Sequence, residues 1–222
     1  TCWASPATTE VVTTDATQTA PPVAPFLRAT PVNPAVPFFI DTHCHLDAAE
    51  FDADREAEYA RAVAGGVRLQ VVPAVSRANF AAVAATCARY PGCLPAWGLH
   101  PMYLHVHRPE HLADLRTQIE AQRPVAVGEI GLDFFVADID PAAQEFFLVE
   151  QLKIARDYDL PVLLHCRRAN DELLKHLRRI GVRGGIAHAF NGSSQQASAF
   201  IKLGFKLGFG GAFTWPRANN LR

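Results

Sequence analysis

Four segments carry side chains of the metal-binding type. Residues 41–47 read Asp-Thr-His-Cys-His-Leu-Asp, with His43 and His45 two positions apart. On an extended segment residues i and i+2 face the same way, so these two imidazoles can converge on one ion. Glu129 stands in 127–133, Val-Gly-Glu-Ile-Gly-Leu-Asp, while His165 and His188 close the apolar runs 161–165 and 185–188. Four imidazoles and a carboxylate gathered in one place are costly without a metal, because buried polar groups need partners. A nitrogen-rich set suits a transition ion better than calcium. Five ligands exceed what one tetrahedral zinc with an open position accepts, so two divalent ions sharing Glu129 fit the count better.

These residues need a scaffold that brings distant segments together. Apolar runs fall at 38–43, 67–75, 94–99, 125–129, 161–165, 185–188 and 205–209. Helical patterns lie between them at 51–64, 76–90, 109–122, 141–158, 170–180 and 193–203. The fourth presents Gln144, Phe147, Leu148, Gln151, Leu152 and Ala155 at helical spacing. Alternating strands and helices imply parallel strands with helical crossovers, and continuous apolar strands imply a sheet covered on both faces. The count favours a TIM (β/α)8 barrel over a doubly wound sheet. It stops at seven strands and six helices, where a barrel needs eight of each, so the barrel reads as truncated before its last strand. In a barrel the active site lies at the C-terminal ends of the strands, where these ligands fall.

Six motifs together resemble the TatD family of metal-dependent hydrolases and deoxyribonucleases. They are DTHCHLD (41–47), GLHP (98–101), VGEIGLDFF (127–135), LHCRR (164–168), HAFNGS (188–193) and GFGGAFTWP (208–216), in the family's order across 38–222. The resemblance implies a TIM barrel in which His43 and His45 bind one metal, Glu129 bridges, and His165 and His188 serve the second. It implies two divalent ions (Zn, Mn or Mg) and a phosphodiester substrate in DNA or another nucleic acid. A water shared by the ions would lose its proton and attack phosphorus in line. Glu129 is the residue on which catalysis would depend. The family's Glu-Thr-Asp motif on the last strand does not occur here. Two alternatives stand beside this reading. One is a hydrolase of another ester, a carboxylic ester or a D-aminoacyl-tRNA, at the same metals; the other is an inactive truncated barrel.

Other polar residues offer lesser roles. Arg167 and Arg168 follow His165 and could hold substrate phosphates as bidentate donors, or could simply be solvated at a helix start. His100, in Gly-Leu-His-Pro, is a candidate substrate contact, and Arg77 a weaker one. Asp133 could orient a ligand histidine or cap a loop. His105, His107 and His111 read as surface imidazoles, and Cys44 and Cys166 as small residues turned toward the helices. The glycines 208, 210 and 211 lack the Gly-Lys-Ser/Thr of a phosphate loop and read as a tight turn. Arg178, Arg179 and Arg183 read as a helix C-terminal charge.

Composition bounds the rest. The chain has 222 residues, 49% of them hydrophobic and 19% charged, with 21 basic against 22 acidic side chains. That suits a globular core and excludes bulk electrostatic attraction to nucleic acid or membrane. No apolar run approaches the ~18 residues of a membrane span, and no protein partner is legible. Five cysteines in no paired spacing imply reduced thiols and a cytoplasmic setting. Residues 1–37, rich in Pro, Thr and Ala with seven prolines and three charges, read as a disordered leader. Residues 38–222 read as the hydrolase barrel.

Overall fold

The computed structural model describes residues 38–211. The leader and the segment 212–222 lie outside the described residues, as does the expectation about where the barrel ends. Seven parallel strands form one sheet in the order β1 to β7, with each strand beside its successor in sequence. They are β1 Phe39–Asp41, β2 Val67–Pro73, β3 Cys93–Trp97, β4 Ala126–Asp133, β5 Val162–Arg167, β6 Gly185–Ala187 and β7 Phe205–Leu207. Six helices alternate with them: α1 Arg55–Ala64, α2 Phe80–Arg89, α3 His111–Ala121, α4 Pro141–Asp157, α5 Asn170–Ile180 and α6 Ser194–Lys202. Strictly sequential parallel strands joined by helices curl in one direction, which is the TIM-barrel arrangement.

The core divides in two. Val71, Ala96, Ala126, Leu163 and Ile186 come from five successive strands and form a small cluster of their own. Their neighbours in each strand point the other way, into the large apolar layer beneath the helices. Alternation along the strands sorts the side chains between the two. Gly98 and Gly128 let β3 and β4 approach closely under the site. A Cβ built on Gly98 would lie 2.6 Å from the Gly128 carbonyl carbon, and one on Gly128 would lie 2.6 Å from Leu163 Cβ.

The helix boundaries follow local chemistry. Pro141 opens α4 in the first turn, capped by Asp140, whose Oδ1 accepts the Ala142 N–H at 2.9 Å. Ser193 and Gln196 form a capping box at α6. Gly181, at φ 69°, ends α5 in the left-handed conformation. The expected helices 51–64 and 76–90 each begin as a separate 3-10 turn, Ala49–Phe51 and Arg77–Asn79. At the second, Asn79 Oδ1 accepts the backbone N–H groups of Val75 and Ser76, closing a turn before α2 starts. No helix among the described residues is long and apolar enough to cross a membrane.

Several strands end elsewhere than the apolar runs suggest. β1 ends at Asp41, so His43 and His45 lie in the loop beyond it. β4 continues to Asp133, which puts Glu129 within the strand rather than at its end. β6 stops at Ala187, one residue before His188.

Candidate metal centre

Glu129 is the centre of the site. Its carboxylate is 2% exposed and receives a different pair of imidazoles on each oxygen. Oε2 meets His43 Nε2 at 2.7 Å and His45 Nε2 at 3.6 Å. Oε1 meets His165 Nδ1 at 3.1 Å and His100 Nε2 at 3.4 Å. Two three-residue donor groups therefore share one carboxylate: His43–His45–Glu129 and His100–Glu129–His165. The pairing of β4 with β5 shifts register between Val127 and Ile130, where Glu129 sits. Such an irregularity re-aims a side chain, here into the site.

Backbone bonds hold the imidazoles in place. Asp41 Oδ1 accepts the His43 N–H at 3.1 Å, and the Cys44 N–H donates to the Val71 carbonyl at 2.9 Å. The loop beyond β1 is thereby tied to β2. The His100 N–H donates to the Val75 carbonyl at 2.9 Å. The His188 N–H donates to the Leu164 carbonyl at 2.9 Å.

Asp133 orients His165 from the other side of its ring. Its Oδ2 lies 3.0 Å from His165 Nε2, while its Oδ1 accepts the N–H groups of Phe135 and Val136 at 2.9 and 3.2 Å. A carboxylate behind an imidazole fixes the ring and raises its basicity, which leaves Nδ1 as the atom that faces Glu129. Of the two sequence readings for Asp133, both the orienting contact and the loop contact are present.

The electrostatics follow from this packing. Burial opposes the charge on Glu129, yet His43, His100 and His165 hold its pKa well below the usual carboxylate range. Burial also opposes a charged His165, but Asp133 and Glu129 outweigh it and raise its pKa to about 9. Asp133 is lowered to about 2: burial opposes its charge, and His165 with the two loop N–H groups overcomes it. His188 is lowered to about 3 by burial and by the neighbouring His43. His100 is lowered too, with burial outweighing the attraction of Glu129.

The donor set suits divalent metal: several imidazoles, one ionised carboxylate and an orienting carboxylate behind it. Four of the five sequence-selected ligands, His43, His45, Glu129 and His165, fall into the two donor groups. His188 stands apart from both. Its ring stacks on His43, with centroids 3.7 Å apart. His100, expected to touch substrate, stands in the second group beside His165. The signal for it was present in the sequence, a histidine just past the end of a strand.

The remaining candidates separate. Arg77 is bound to Asp114 Oδ2 at 3.1 Å on the surface. Arg167 and Arg168 are exposed at the end of β5, and Arg167 Nη1 lies 3.4 Å from Asp133 Oδ2. His105 is exposed as expected, but His107 is half-buried. Its Nε2 donates to the His100 carbonyl at 2.9 Å, and its ring packs on Phe147. Burial lowers its pKa to about 4. Cys166 Sγ meets Asn170 Oδ1 of α5 at 3.1 Å, on the helix side as expected. Cys44 Sγ faces Gln70 Oε1 at 3.7 Å.

Sequence reasoning missed two glutamines. Gln144 and Gln151 sit two turns apart on α4, both 1% exposed. Gln144 Oε1 accepts the Asp133 N–H at 2.7 Å and its Nε2 donates to the Asp133 carbonyl at 2.9 Å. Gln151 grips Leu99 in the same way, at 2.7 and 3.1 Å. Each side chain completes the backbone bonding of a residue at or beside the site. A glutamine on the buried stripe of a helix is the sequence signal, since such a group needs an internal partner.

A curled (β/α) sheet carrying a histidine–carboxylate cluster at its strand ends defines the metal-dependent hydrolase class. The comparisons with known proteins make this specific. The signature described as TatD related DNase matches residues 40–222, and the chain belongs to that family. It is 48% identical over 188 residues to the uncharacterized metal-dependent hydrolase YjjV of Escherichia coli K12, covering 83% of this chain and 72% of that protein. It is 35% identical over 173 residues to the 3'-5' ssDNA/RNA exonuclease TatD of Cronobacter sakazakii, covering 77% and 66%. The crystal structure of the E. coli YjjV protein superposes with a TM-score of 0.77 over 81% of this chain and 71% of that one.

Proposed function

We propose that this chain hydrolyses phosphodiester bonds of DNA or another nucleic acid at a two-metal centre built on Glu129. The observation that carries the reading is the division of one buried carboxylate between two histidine pairs. One shared carboxylate would hold two ions close together, with His43, His45, His100 and His165 as further donors. Bound there, divalent metal would supply a water acidic enough to attack at neutral pH and positive charge for the oxygens of phosphorus.

The chain's own residues do the rest. Glu129 stays ionised between its imidazoles. Asp133 keeps His165 in one orientation. His188, held neutral, stacks on His43 and would serve as a further donor to metal. Arg167 and Arg168 at the rim present guanidinium donors to the anionic substrate. The name of the Cronobacter relative supports a nucleic-acid substrate.

The test is a substrate panel with Mn, Zn or Mg added to metal-stripped protein. It comprises a single-stranded oligonucleotide, a duplex, bis(p-nitrophenyl) phosphate, p-nitrophenyl acetate and a D-aminoacyl-tRNA. The expected result is cleavage of nucleic acid and of the phosphate diester, with p-nitrophenyl acetate and the aminoacyl ester left intact. Turnover of the carboxylic esters with the nucleic acids untouched would replace this reading with the other ester hydrolase.

A further inference from the structure

Beside the metal centre the rim carries an aromatic ring with two arginines on it. Phe135 is 50% exposed, which is unusual for so large an apolar ring at a site of charged groups. The guanidinium carbons of Arg167 and Arg168 lie 4.2 and 4.7 Å from its centroid. The arrangement is joined to the centre by contacts, since Asp133 binds His165, the Phe135 N–H and the Arg167 guanidinium together. The two arginines differ in one respect. Arg167 has Asp133 as a partner, whereas Arg168 has no hydrogen bond or ion pair among the described residues. Arg168 also holds φ at +54°, a left-handed backbone that a residue with a side chain adopts at some cost. A cation without an anionic partner, held over an exposed ring beside the histidine–carboxylate cluster, calls for an anionic ligand.

We propose that Phe135, Arg167 and Arg168 form a second phosphate subsite. It takes the phosphodiester next to the scissile one, with Arg168 as the direct donor and Phe135 as a positioning residue. Stacking on the ring fixes guanidinium groups that would otherwise lose rotamer freedom on binding, and it leaves their N–H edges free for phosphate oxygens. This makes a polynucleotide with at least two linkages a better substrate than an isolated phosphate diester such as bis(p-nitrophenyl) phosphate. The inference rests on the phosphodiesterase reading and sharpens it.

The test compares short single-stranded DNA with the same DNA carrying one neutral methylphosphonate, placed in turn on each linkage flanking the cleaved one. In the wild-type holoenzyme one position raises KM about tenfold, the size of one charge-assisted hydrogen bond. In Arg168→Ala and in Phe135→Leu the ratio of the two KM values falls toward one. A variant that is merely destabilised weakens both substrates alike and keeps the ratio at the wild-type value, which would count against the proposal. DNA cleaved with no sensitivity to either methylphosphonate would overturn the subsite and leave the phosphodiesterase standing. Absence of DNA cleavage under every metal would remove both.

Discussion

A carboxylate as deeply buried as Glu129 stays charged because imidazoles surround it, with His43, His100 and His165 holding its pKa down. Removing it would leave those rings without their common acceptor. Asp133 has a similar role at one contact's remove, joining His165 to the loop that carries Phe135. His107 supports the site from below by holding the His100 carbonyl, and it titrates where it can be observed. Its folded pKa of about 4 lies below the ordinary 6.5, so folding favours its neutral form. Its contribution to stability is present above pH 6.5 and is lost as pH falls toward 4. In metal-free protein, His107→Gln, which keeps a donor but does not titrate, is expected to make the loss of stability between pH 6.5 and 4 shallower, by about 1 kcal/mol. Urea unfolding at a series of pH values checks it; an unchanged pH profile would show that His107 is not the titrating group. At this scale the sequence was informative where spacing encodes geometry. His43 and His45 pair because two residues of extended chain turn them the same way, even beyond the end of β1. It was less informative where partners come from other strands. No spacing shows that His188 packs on His43 while His100 joins His165.

The strands deliver ligands, but α4 fixes two of the positions they are delivered to. Gln144 and Gln151 close the backbone bonding of Asp133 and Leu99 from inside the helix layer. An apolar replacement would strand a buried N–H and a buried carbonyl. Each unpaired group costs about 1–3 kcal/mol. Gln144→Leu and Gln151→Leu are therefore each expected to lower stability by roughly 2–4 kcal/mol and to weaken metal binding. Gln144→Leu acts through Asp133 and His165, Gln151→Leu through His100. Denaturant titration beside a metal-binding isotherm measures both effects; a stability loss with unaltered metal affinity would make the glutamines structural only. The helix α4 was recognisable from its period, and its bounds differ by one residue from the pattern. The role of the glutamines was not, because periodicity places a residue on the buried face without saying what it meets there. The register shift at Glu129 was equally hidden, since it arises from pairing between two strands.

On the scale of the molecule, the alternation of apolar runs and helical patterns was enough to read the parallel architecture. All seven strands and all six helices fall where that alternation puts them, to within a few residues. Their curling into one continuous sheet follows from the sequential order of the strands. Donors from β4 and β5 and from the loops after β1 and β3 meet only when that sheet is formed, so metal binding at this cluster would be linked to folding. At a free metal concentration about a hundredfold above Kd, binding stabilises the folded state by about 2.7 kcal/mol. The protein is therefore expected to melt several degrees higher with Mn or Zn than after chelation. Glu129→Gln should remove the difference. Scanning calorimetry with and without metal gives the answer, and a melting temperature indifferent to both ions would mean that the cluster does not hold them. The central claim is that Glu129 unites two metals for hydrolysis of phosphodiesters. The most direct measurement of it is cleavage of a single-stranded oligonucleotide by metal-stripped protein as divalent metal is restored, wild type beside Glu129→Gln. Activity that is absent without metal, returns on titration and stays at least about a hundredfold lower in the variant is the expected result. Cleavage that persists in chelator, or is equal in the variant, would contradict it.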